Sequence, residues 1–498
     1  MSRSKKLLLN TIAGVLKQVV TVICGFILPR YMLLFYGSSL NGLISSINNF
    51  LGFITLLDMG VGAVIQANLY KPLAEKNMTQ ISRIVCSSER FFRRLSYIFL
   101  VYILFLGIIF PRLLGKEYEP WFTISLLCII SFSSFAQYLF GMTNQLLLNA
   151  DQRSYVQLLM QTGTIILNTI SAIILMRMGM SVHMVKLASA IVYVLRPFAQ
   201  TVYVNNHYQI DRTIKLVGEP IRQKWNGFSQ HFAAVICQNI DIVVLTFFST
   251  LESVSVYSVY FAVVNGVEQI VMTAATGIES MFGNMIAGNE REELVSTFNI
   301  VEWIIHSVVV FVFTVTAITI IPFITVYTRD VTDANYIAPV FSLILVVAYA
   351  IQCLRVPYFR VIKAAGHFME TQNGAYVSAI LNIIITTCLV FRFGLVGAAT
   401  GTLVAMAYHT CYFVWYLKKN ILLRPFQIFV KYMITDSLIA GVSYFLTKDI
   451  QFIGDSYIAW FLYAAKISII VFAIIAVFNC LFYKENVNRI IKKNGMMI

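Results

Sequence analysis

The sequence predicts an all-α polytopic membrane protein with about 14 transmembrane helices. Hydrophobic residues make up 58% of the 498 residues and charged residues only 12%, against about 25% in an average soluble domain. Apolar stretches long enough to cross a bilayer follow one another from Leu7 to Tyr483, and the mean hydropathy is +0.76. Because lipid offers no hydrogen bonds to the backbone, each span is predicted to be a helix.

The boundaries of the spans follow from where the apolar runs start and stop. We place them at 7–34, 40–69, 95–114, 121–144, 155–176, 183–204, 226–249, 254–287, 301–326, 337–362, 374–391, 394–417, 427–446 and 457–483. The second and eighth exceed about 20 residues, so they are expected to tilt or to extend beyond the bilayer. The division at Phe393 depends only on the turn signals of Arg392 and Gly394. Totals of 13 and 15 spans therefore remain open.

Lysine and arginine set the predicted orientation. They cluster at the N-terminus, after span two, in a mid-chain linker and in the C-terminal tail. An even number of spans places all four clusters on one side, which the positive-inside rule identifies as the cytoplasm. Both termini are therefore predicted to be cytoplasmic, and topology accounts for the net charge of +14. The sequence shows no basic folded domain of the kind that binds nucleic acid, so no nucleic-acid partner is expected.

The two halves of the chain resemble each other at a shift of about 215 residues. The stretches Leu148–Tyr155 and Ile362–Met369 end spans four and ten, and each leads into a span that carries a Leu-Asn pair. Six spans per half return the chain to its starting side, so the halves are predicted to be two parallel six-helix repeats, which is a transporter architecture. We predict an N-terminal six-helix bundle at 1–204, a cytoplasmic linker at 205–225, a second six-helix bundle at 226–417, and two C-terminal helices with a basic tail at 427–498.

Basic residues inside the spans are the first candidates for a functional site, because an ionisable group in a membrane costs several kcal/mol. Lys17, Arg30, Arg196 and Arg355 lie within spans, the last three at or near a proline. Together they predict a cationic site for an anion, since arginine can hold phosphate oxygens in a bidentate manner. Internal salt bridges, or snorkelling of residues near the span ends, remain the alternative.

Acidic residues inside the spans are candidates for coupling to H+ or Na+. They are Asp58, Asp241, Glu268 and Glu279. Glu268 and Glu279 lie about three turns apart in span eight, which places them on one face of the predicted helix. The alternative is that both glutamates neutralise arginines of the other bundle. The eight cysteines show no metal-ligand or disulfide spacing, so no metal and no cofactor beyond a coupling ion is expected.

Several short motifs occur in a fixed order along the chain. They are Leu28-Pro-Arg-Tyr31, Tyr36-Gly37, Asn41-Gly42-Leu43 and Leu57-Asp-Met-Gly-Val-Gly62 in spans one and two, Leu148-Asn-Ala-Asp-Gln-Arg153 after span four, and Asn239-Ile-Asp241 followed by Val256-Tyr257 in the second half. In this order they resemble Wzx-type polysaccharide flippases, which belong to the MATE-like multidrug/oligosaccharidyl-lipid/polysaccharide (MOP) exporter superfamily.

This resemblance implies two six-helix bundles around an alternating central cavity in a bacterial cell membrane. The implied cargo is an undecaprenyl-pyrophosphate-linked oligosaccharide, a precursor of capsule, O-antigen or teichoic-acid type, which moves from the cytoplasmic to the outer leaflet. The implied partners are this lipid-linked glycan, membrane lipids, and a glycan polymerase or glycosyltransferases. Helices 13 and 14 are implied to form a groove for the lipid tail. The chain departs from an apolar groove at Lys431, Asp436 and Lys466.

The flippase hypothesis gives the candidate residues their roles. The pyrophosphate is expected to contact Arg30, Arg196, Lys17 and Arg355, and Gln238 is expected to solvate the sugars, together with Asn48 and Gln137. A cation-coupled multidrug exporter of the same superfamily is the alternative, which predicts an acidic or apolar cavity. A membrane-embedded glycosyltransferase or polymerase needs an acidic catalytic residue in an outward loop or a long outward loop, whereas the first outward loop, near 35–39, is short and has no carboxylate, and the others are equally brief. A non-transporting scaffold leaves the charges inside the membrane unexplained. We therefore expect a transporter and not an enzyme.

Overall fold

A computed structural model describes residues 3–58, 61–114, 117–214, 228–275 and 277–486, and within them every regular element is helical. The helices are Arg3–Gly52 (α1), Thr55–Asp58 (α2), Val61–Ala74 (α3), Met78–Leu114 (α4), Pro120–Ala136 (α5), Met142–Ala150 (α6), Ser154–Arg177 (α7), Val182–His207 (α8), Phe228–Phe248 (α9), Leu251–Ala274 (α10), Ile278–Ala287 (α11), Arg291–Tyr327 (α12), Pro339–Leu354 (α13), Val356–Ala364 (α14), Phe368–Asn420 (α15), Phe426–Thr447 (α16) and Tyr457–Phe482 (α17). A π-helical turn, Gln137–Gly141, joins α5 to α6.

The predicted fold class is confirmed. Eleven helices in the described ranges are long and apolar enough to cross a membrane, and Phe232–Phe248 is a shorter apolar helix. Two of the eleven, α1 and α15, are each two helices that meet at a glycine with left-handed φ, 81° at Gly37 and 52° at Gly394. A side chain is strained in this conformation, so glycine fixes both turns. Counted in this way the segments number about fourteen, as the pattern of apolar runs predicts.

Four of the predicted spans are interrupted. Span two divides into the second arm of α1, α2 and α3, and span four contains the π-helical turn. Span eight divides into α10 and α11, so Glu268 and Glu279 lie on different helices and the expectation of one shared face is wrong. Span ten divides into α13 and α14 at Arg355, where Pro357 occupies the first turn of α14. A proline lacks the N–H that would continue the hydrogen bonds of α13.

The backbone turns repeat between the two halves of the chain. Gln152 precedes α7 and Gly366 precedes α15, with φ of 58° and 74°. Lys76 precedes α4 and Asn289 precedes α12, with φ of 54° and 55°. In all four turns the next N–H donates to the carbonyl five residues earlier, which is the Schellman arrangement of a helix end. Both pairs keep the spacing of about 215 residues that the sequence repeat predicts.

The chain divides into two compact units, Met1–Val235 (unit 1) and Ile236–Ile498 (unit 2). In unit 1, α7 packs against α1 and α8, and α5 packs against α4 and α8. In unit 2, α13 packs against α15 and α12, and α12 also carries α16 and α17. The two C-terminal helices therefore belong to unit 2, through an apolar core of Val310, Ile439, Ile467, Val471 and Ile475. The finer division into bundles, linker and appendix stays a prediction, and most of the linker lies outside the described residues.

Candidate functional site

Arg196 is held inside unit 1 by a neutral side chain. It lies on α8 immediately before Pro197, and its Nε and Nη2 donate to Oε1 of Gln137 at 3.3 and 3.0 Å. Gln137 opens the π-helical turn, and its Nε2 donates to Oε1 of Gln145 at 3.3 Å. Among the described residues no carboxylate lies within ion-pair distance of Arg196. No ion pair therefore neutralises Arg196 within this part of the chain.

Two further predicted cations of unit 1 lie on the first arm of α1. Lys17 is half-buried and makes no ion pair with any residue that the structure describes. Arg30 is also half-buried and follows Pro29, which lies inside the helix. The joint anion site of Lys17, Arg30 and Arg196 stays a prediction.

Arg355 is the corresponding cation of unit 2. It lies at the break between α13 and α14, and its Nη1 approaches Nδ1 of His409 on α15 at 2.7 Å. The guanidinium carbon lies 5.9 Å from the ring centre of Phe413, which adds a cation–π contact. Within the part of the chain that the structure describes, Arg355 makes no ion pair. Arg355 thus resembles Arg196 in having a neutral partner.

Glu268 lies on α10 and is buried, with 6% of its surface exposed. Its Oε1 accepts from Nε2 of Gln352 on α13 at 2.6 Å. Arg355 interacts with it electrostatically without a direct ion pair. The carboxylate therefore has a hydrogen-bond partner inside its own unit.

Asp241 is surrounded by hydroxyl groups. It lies on α9 with 3% of its surface exposed, and its Oδ2 accepts from Thr402 and, at 2.6 Å, from the hydroxyl of Tyr257. Thr386 lies 3.4 Å from Oδ1 and also contacts Oδ1 of Asn382 at 2.9 Å, but its single proton can serve only one of them. No cationic side chain pairs with Asp241 in the described ranges. The site therefore offers a carboxylate and several neutral oxygens to a proton or a hard cation.

Close packing of the two arms of α15 assembles this oxygen-rich site. A β-carbon at Gly401 would lie 2.0 Å from Oγ1 of Thr386, and one at Gly397 would lie 2.4 Å from the backbone of Leu389. Only glycine permits this approach at either position. The reversal of the chain at Gly394 thus brings Thr386 and Thr402 to the same carboxylate.

The other predicted site residues are placed as follows. Glu279 on α11 forms ion pairs with Arg360 at 2.9 Å and Lys363 at 3.1 Å, both on α14. Gln238 is exposed on α9, whereas Asp241 on the same helix is buried, so the two do not share an environment. Asp58 ends α2, and its side chain lies outside the described part of the structure.

A buried polar network that the site prediction missed joins α12 to the C-terminal helices. Glu302 accepts from the hydroxyl of Tyr358 and pairs with Arg424, and it is fully buried. One turn further along α12, Nδ1 of His306 lies 2.5 Å from Oδ2 of Asp436 on α16. Asp436 is one of the charged residues that do not fit the implied apolar groove, and this contact gives it a partner inside the protein. The signals of this network in the sequence were the spacing of Glu302 and His306 at i and i+4 and the charge of Asp436 inside an apolar span.

Comparison with known proteins identifies the fold. No protein-family model matches the chain, and no curated protein does. Among solved structures, the lipid II flippase MurJ in an inward closed conformation has a TM-score of 0.72 and 16% identity, over 96% of this chain and 100% of MurJ. The fold is that of MurJ.

Transporters of the MATE family share this fold. An inward-facing multidrug resistance MATE transporter of the MOP superfamily has a TM-score of 0.56 and 12% identity, over 81% of this chain and 96% of its own. The Vibrio cholerae MATE transporter VcmN in the bent form has a TM-score of 0.55 and 13% identity, over 84% of this chain and 98% of its own. The predicted MOP-type fold is thus confirmed, and the Wzx-type assignment is compatible with it but stays a prediction.

Proposed function

We propose that the protein is a flippase that moves a polyprenyl-pyrophosphate-linked oligosaccharide from the cytoplasmic to the outer leaflet by alternating access. The likeness to a lipid II flippase and to MATE transporters supports a membrane transporter of this superfamily type. The cargo would be a precursor of capsule, O-antigen or teichoic-acid type. The protein would act in a bacterial cytoplasmic membrane with both termini inside, next to glycosyltransferases or a polymerase.

The observation that carries the proposal is that each unit holds a half-buried arginine with a neutral partner. Arg196 is bound by Gln137 and Arg355 by His409, and within the described residues neither has a carboxylate in ion-pair contact. A cation within an apolar span that lacks a counter-ion attracts an anion, and a guanidinium matches the geometry of phosphate oxygens. Arg360 shows the contrast, because Glu279 neutralises it.

Asp241 supports coupling of this transport to H+ or Na+. A charged carboxylate that is buried among hydroxyl groups without a cation is costly, so it is expected to take up a proton or a cation. Glu268 is a second candidate, because its only direct partner in the described structure is the neutral Gln352. Glu279 already has two cationic partners, so its proposed coupling role would require those ion pairs to open.

The anion site is tested by removing one arginine at a time. In the purified full chain, Arg196→Ala and Arg355→Ala should each weaken binding of undecaprenyl pyrophosphate about tenfold, since a charge-assisted contact contributes about 1.5–3 kcal/mol. Lysine at either position should restore part of the affinity, because it lacks the planar fork of arginine. Arg329→Ala is the matched control, since Arg329 pairs with Asp455 at an exposed site. Wild-type affinity in both alanine variants would refute the anion site.

A cation-coupled multidrug exporter is the second candidate, favoured by the MATE transporters that share the fold. It predicts binding of a lipophilic cation and little response to pyrophosphate. Competition between tetraphenylphosphonium and undecaprenyl pyrophosphate in the same preparation separates the two functions. Binding of the cation that persists in both arginine variants would favour the exporter.

A further inference from the structure

The two half-buried arginines, Arg196 and Arg355, occupy related places in the repeat. Arg196 and His409 lie about 215 residues apart, and so do Gly141 and Arg355. In unit 1, Arg196 lies on α8, which is span six, and its partner Gln137 lies at the π-helical turn of span four. In unit 2, Arg355 lies at the break of span ten, which is the counterpart of span four. Its partner His409 lies on the second arm of α15, which is span twelve and the counterpart of span six. In each unit, therefore, one arginine contact joins the fourth and the sixth span of the repeat. The contact lies where the fourth span is irregular, at the π-helical turn in unit 1 and at the break between α13 and α14 in unit 2.

We propose that Gln137 and His409 are positioning residues, which orient Arg196 and Arg355 so that each guanidinium presents its free edge to a phosphate oxygen. This proposal rests on the proposed function and goes beyond it, because neither residue needs to touch the cargo. It also replaces the expectation that Gln137 solvates the sugars.

The geometry in unit 1 fixes which edge of Arg196 is free. Oε1 of Gln137 accepts from both Nε and Nη2, so the side edge of the guanidinium is occupied. Because a guanidinium carries five N–H groups, the end edge formed by Nη1 and Nη2 keeps its donors. Gln145 fixes the other end of the Gln137 amide in turn. Arg196 is thereby held in one orientation before an anion arrives, which lowers the entropic cost of binding.

The π-helical turn provides the space for this contact. Gly141 closes the turn, and a β-carbon there would lie 2.6 Å from Oε1 and 2.7 Å from Nε2 of Gln137. Any larger residue would push the amide away from its present position. Single π-helical turns are rare inside α-helices and are frequent at functional sites. Gly141 thus acts on Arg196 only through Gln137.

The geometry in unit 2 requires a neutral histidine. Arginine can only donate, so Nδ1 of His409 must accept and its proton must be on Nε2. Phe413 covers one face of the Arg355 guanidinium, and Sδ of Met406 lies 3.8 Å from Nη1. A glutamine and a neutral histidine share one property, which is that they orient an arginine without neutralising it. A carboxylate in either place would cancel the charge that attracts the cargo.

The experiment measures binding of undecaprenyl pyrophosphate to the full chain in detergent, together with thermal stability. Gln137→Leu and His409→Leu should each weaken binding about tenfold, with undecaprenyl monophosphate much less affected. Adding Gln137→Leu to Arg196→Ala should cost nothing further, because a positioning residue acts only through its arginine. Gln137→Glu should preserve or raise the melting temperature through a salt bridge and should still weaken binding.

Gly141→Ala keeps the test valid if Gln137→Leu fails to fold. Alanine favours a helix, so stability should be kept while pyrophosphate binding falls as in Gln137→Leu. If the arginine variants bind like wild type, the proposed function fails. If the arginine variants lose affinity but Gln137→Leu, Gly141→Ala and His409→Leu do not, the positioning role alone fails. Additive losses in the double variant would also overturn the positioning role.

Discussion

At the scale of single residues, the charged groups could be predicted from the sequence and their partners could not. Asp241 and Arg196 stand out because each is ionisable within an apolar run. Thr402 and Gln137 are ordinary polar residues, and their contacts join positions that are 161 and 59 residues apart. Such contacts depend on how helices pack, which no local pattern records. The same reason explains why Gln238 proved to be exposed while Asp241 is buried.

Replacement of Asp241 tests ion coupling at this scale. Asp241→Asn keeps the shape and removes the negative charge, so net transport should no longer depend on an H+ or Na+ gradient, while binding of undecaprenyl pyrophosphate stays within about threefold of wild type. The measurement is cargo movement in proteoliposomes with and without each gradient. Asp455→Asn, at an exposed ion pair, is the matched control. Transport by Asp241→Asn that still follows either gradient would exclude this residue as the coupling site.

At the scale of helices, the irregular elements carry the candidate site. The break between α10 and α11 follows Glu268, the break between α13 and α14 contains Arg355, and the π-helical turn contains Gln137. Pro357 is a local signal for the break at Arg355. The apolar composition around the π-helical turn predicts a continuous span, because irregularities inside a membrane helix are satisfied by neighbouring helices. By contrast, the division of α15 could be predicted, since Gly394 is a local signal.

The network between α12 and the C-terminal helices should dominate the attachment of α16 and α17. Glu302→Gln leaves Arg424 without a counter-ion in a site where its side chain is only 9% exposed. The loss of a buried partner costs about 3–5 kcal/mol, so the melting temperature of the purified chain should fall markedly. Glu75→Gln is the matched control, because Glu75 and Lys71 pair on an exposed helix surface and contribute little. Equal melting temperatures for the two variants would show that the network is not needed for stability.

At the scale of the whole molecule, composition and the spacing of apolar runs were sufficient for the fold class. The repeated turns at Gln152 and Gly366 confirm the internal repeat that the sequence shows, because both keep the same left-handed geometry. The specific cargo could not be predicted in this way. Likeness at 16% identity establishes the fold, and the chemistry of the cargo depends on a few side chains.

The orientation of the chain is open to a direct test. Reporter fusions at Asn77 and Lys492 should report the cytoplasm, and a fusion at Lys116 should report the outside, because basic residues cluster around the first two positions. Cysteine labelling from either side of intact cells provides an independent control. An outward signal from the C-terminal fusion would require an odd number of spans.

The central claim is that the protein moves a pyrophosphate-linked glycolipid across a bilayer. Purified protein is reconstituted into liposomes that contain a fluorescent undecaprenyl-pyrophosphate oligosaccharide, and a membrane-impermeant quencher reports the accessible fraction over time. The account predicts that nearly all of the lipid becomes accessible with wild-type protein, and only the outer-leaflet half with empty liposomes or with the double variant Arg196→Ala/Arg355→Ala. An accessible fraction that is the same with wild-type protein as with empty liposomes, in the presence of both H+ and Na+ gradients, would contradict it.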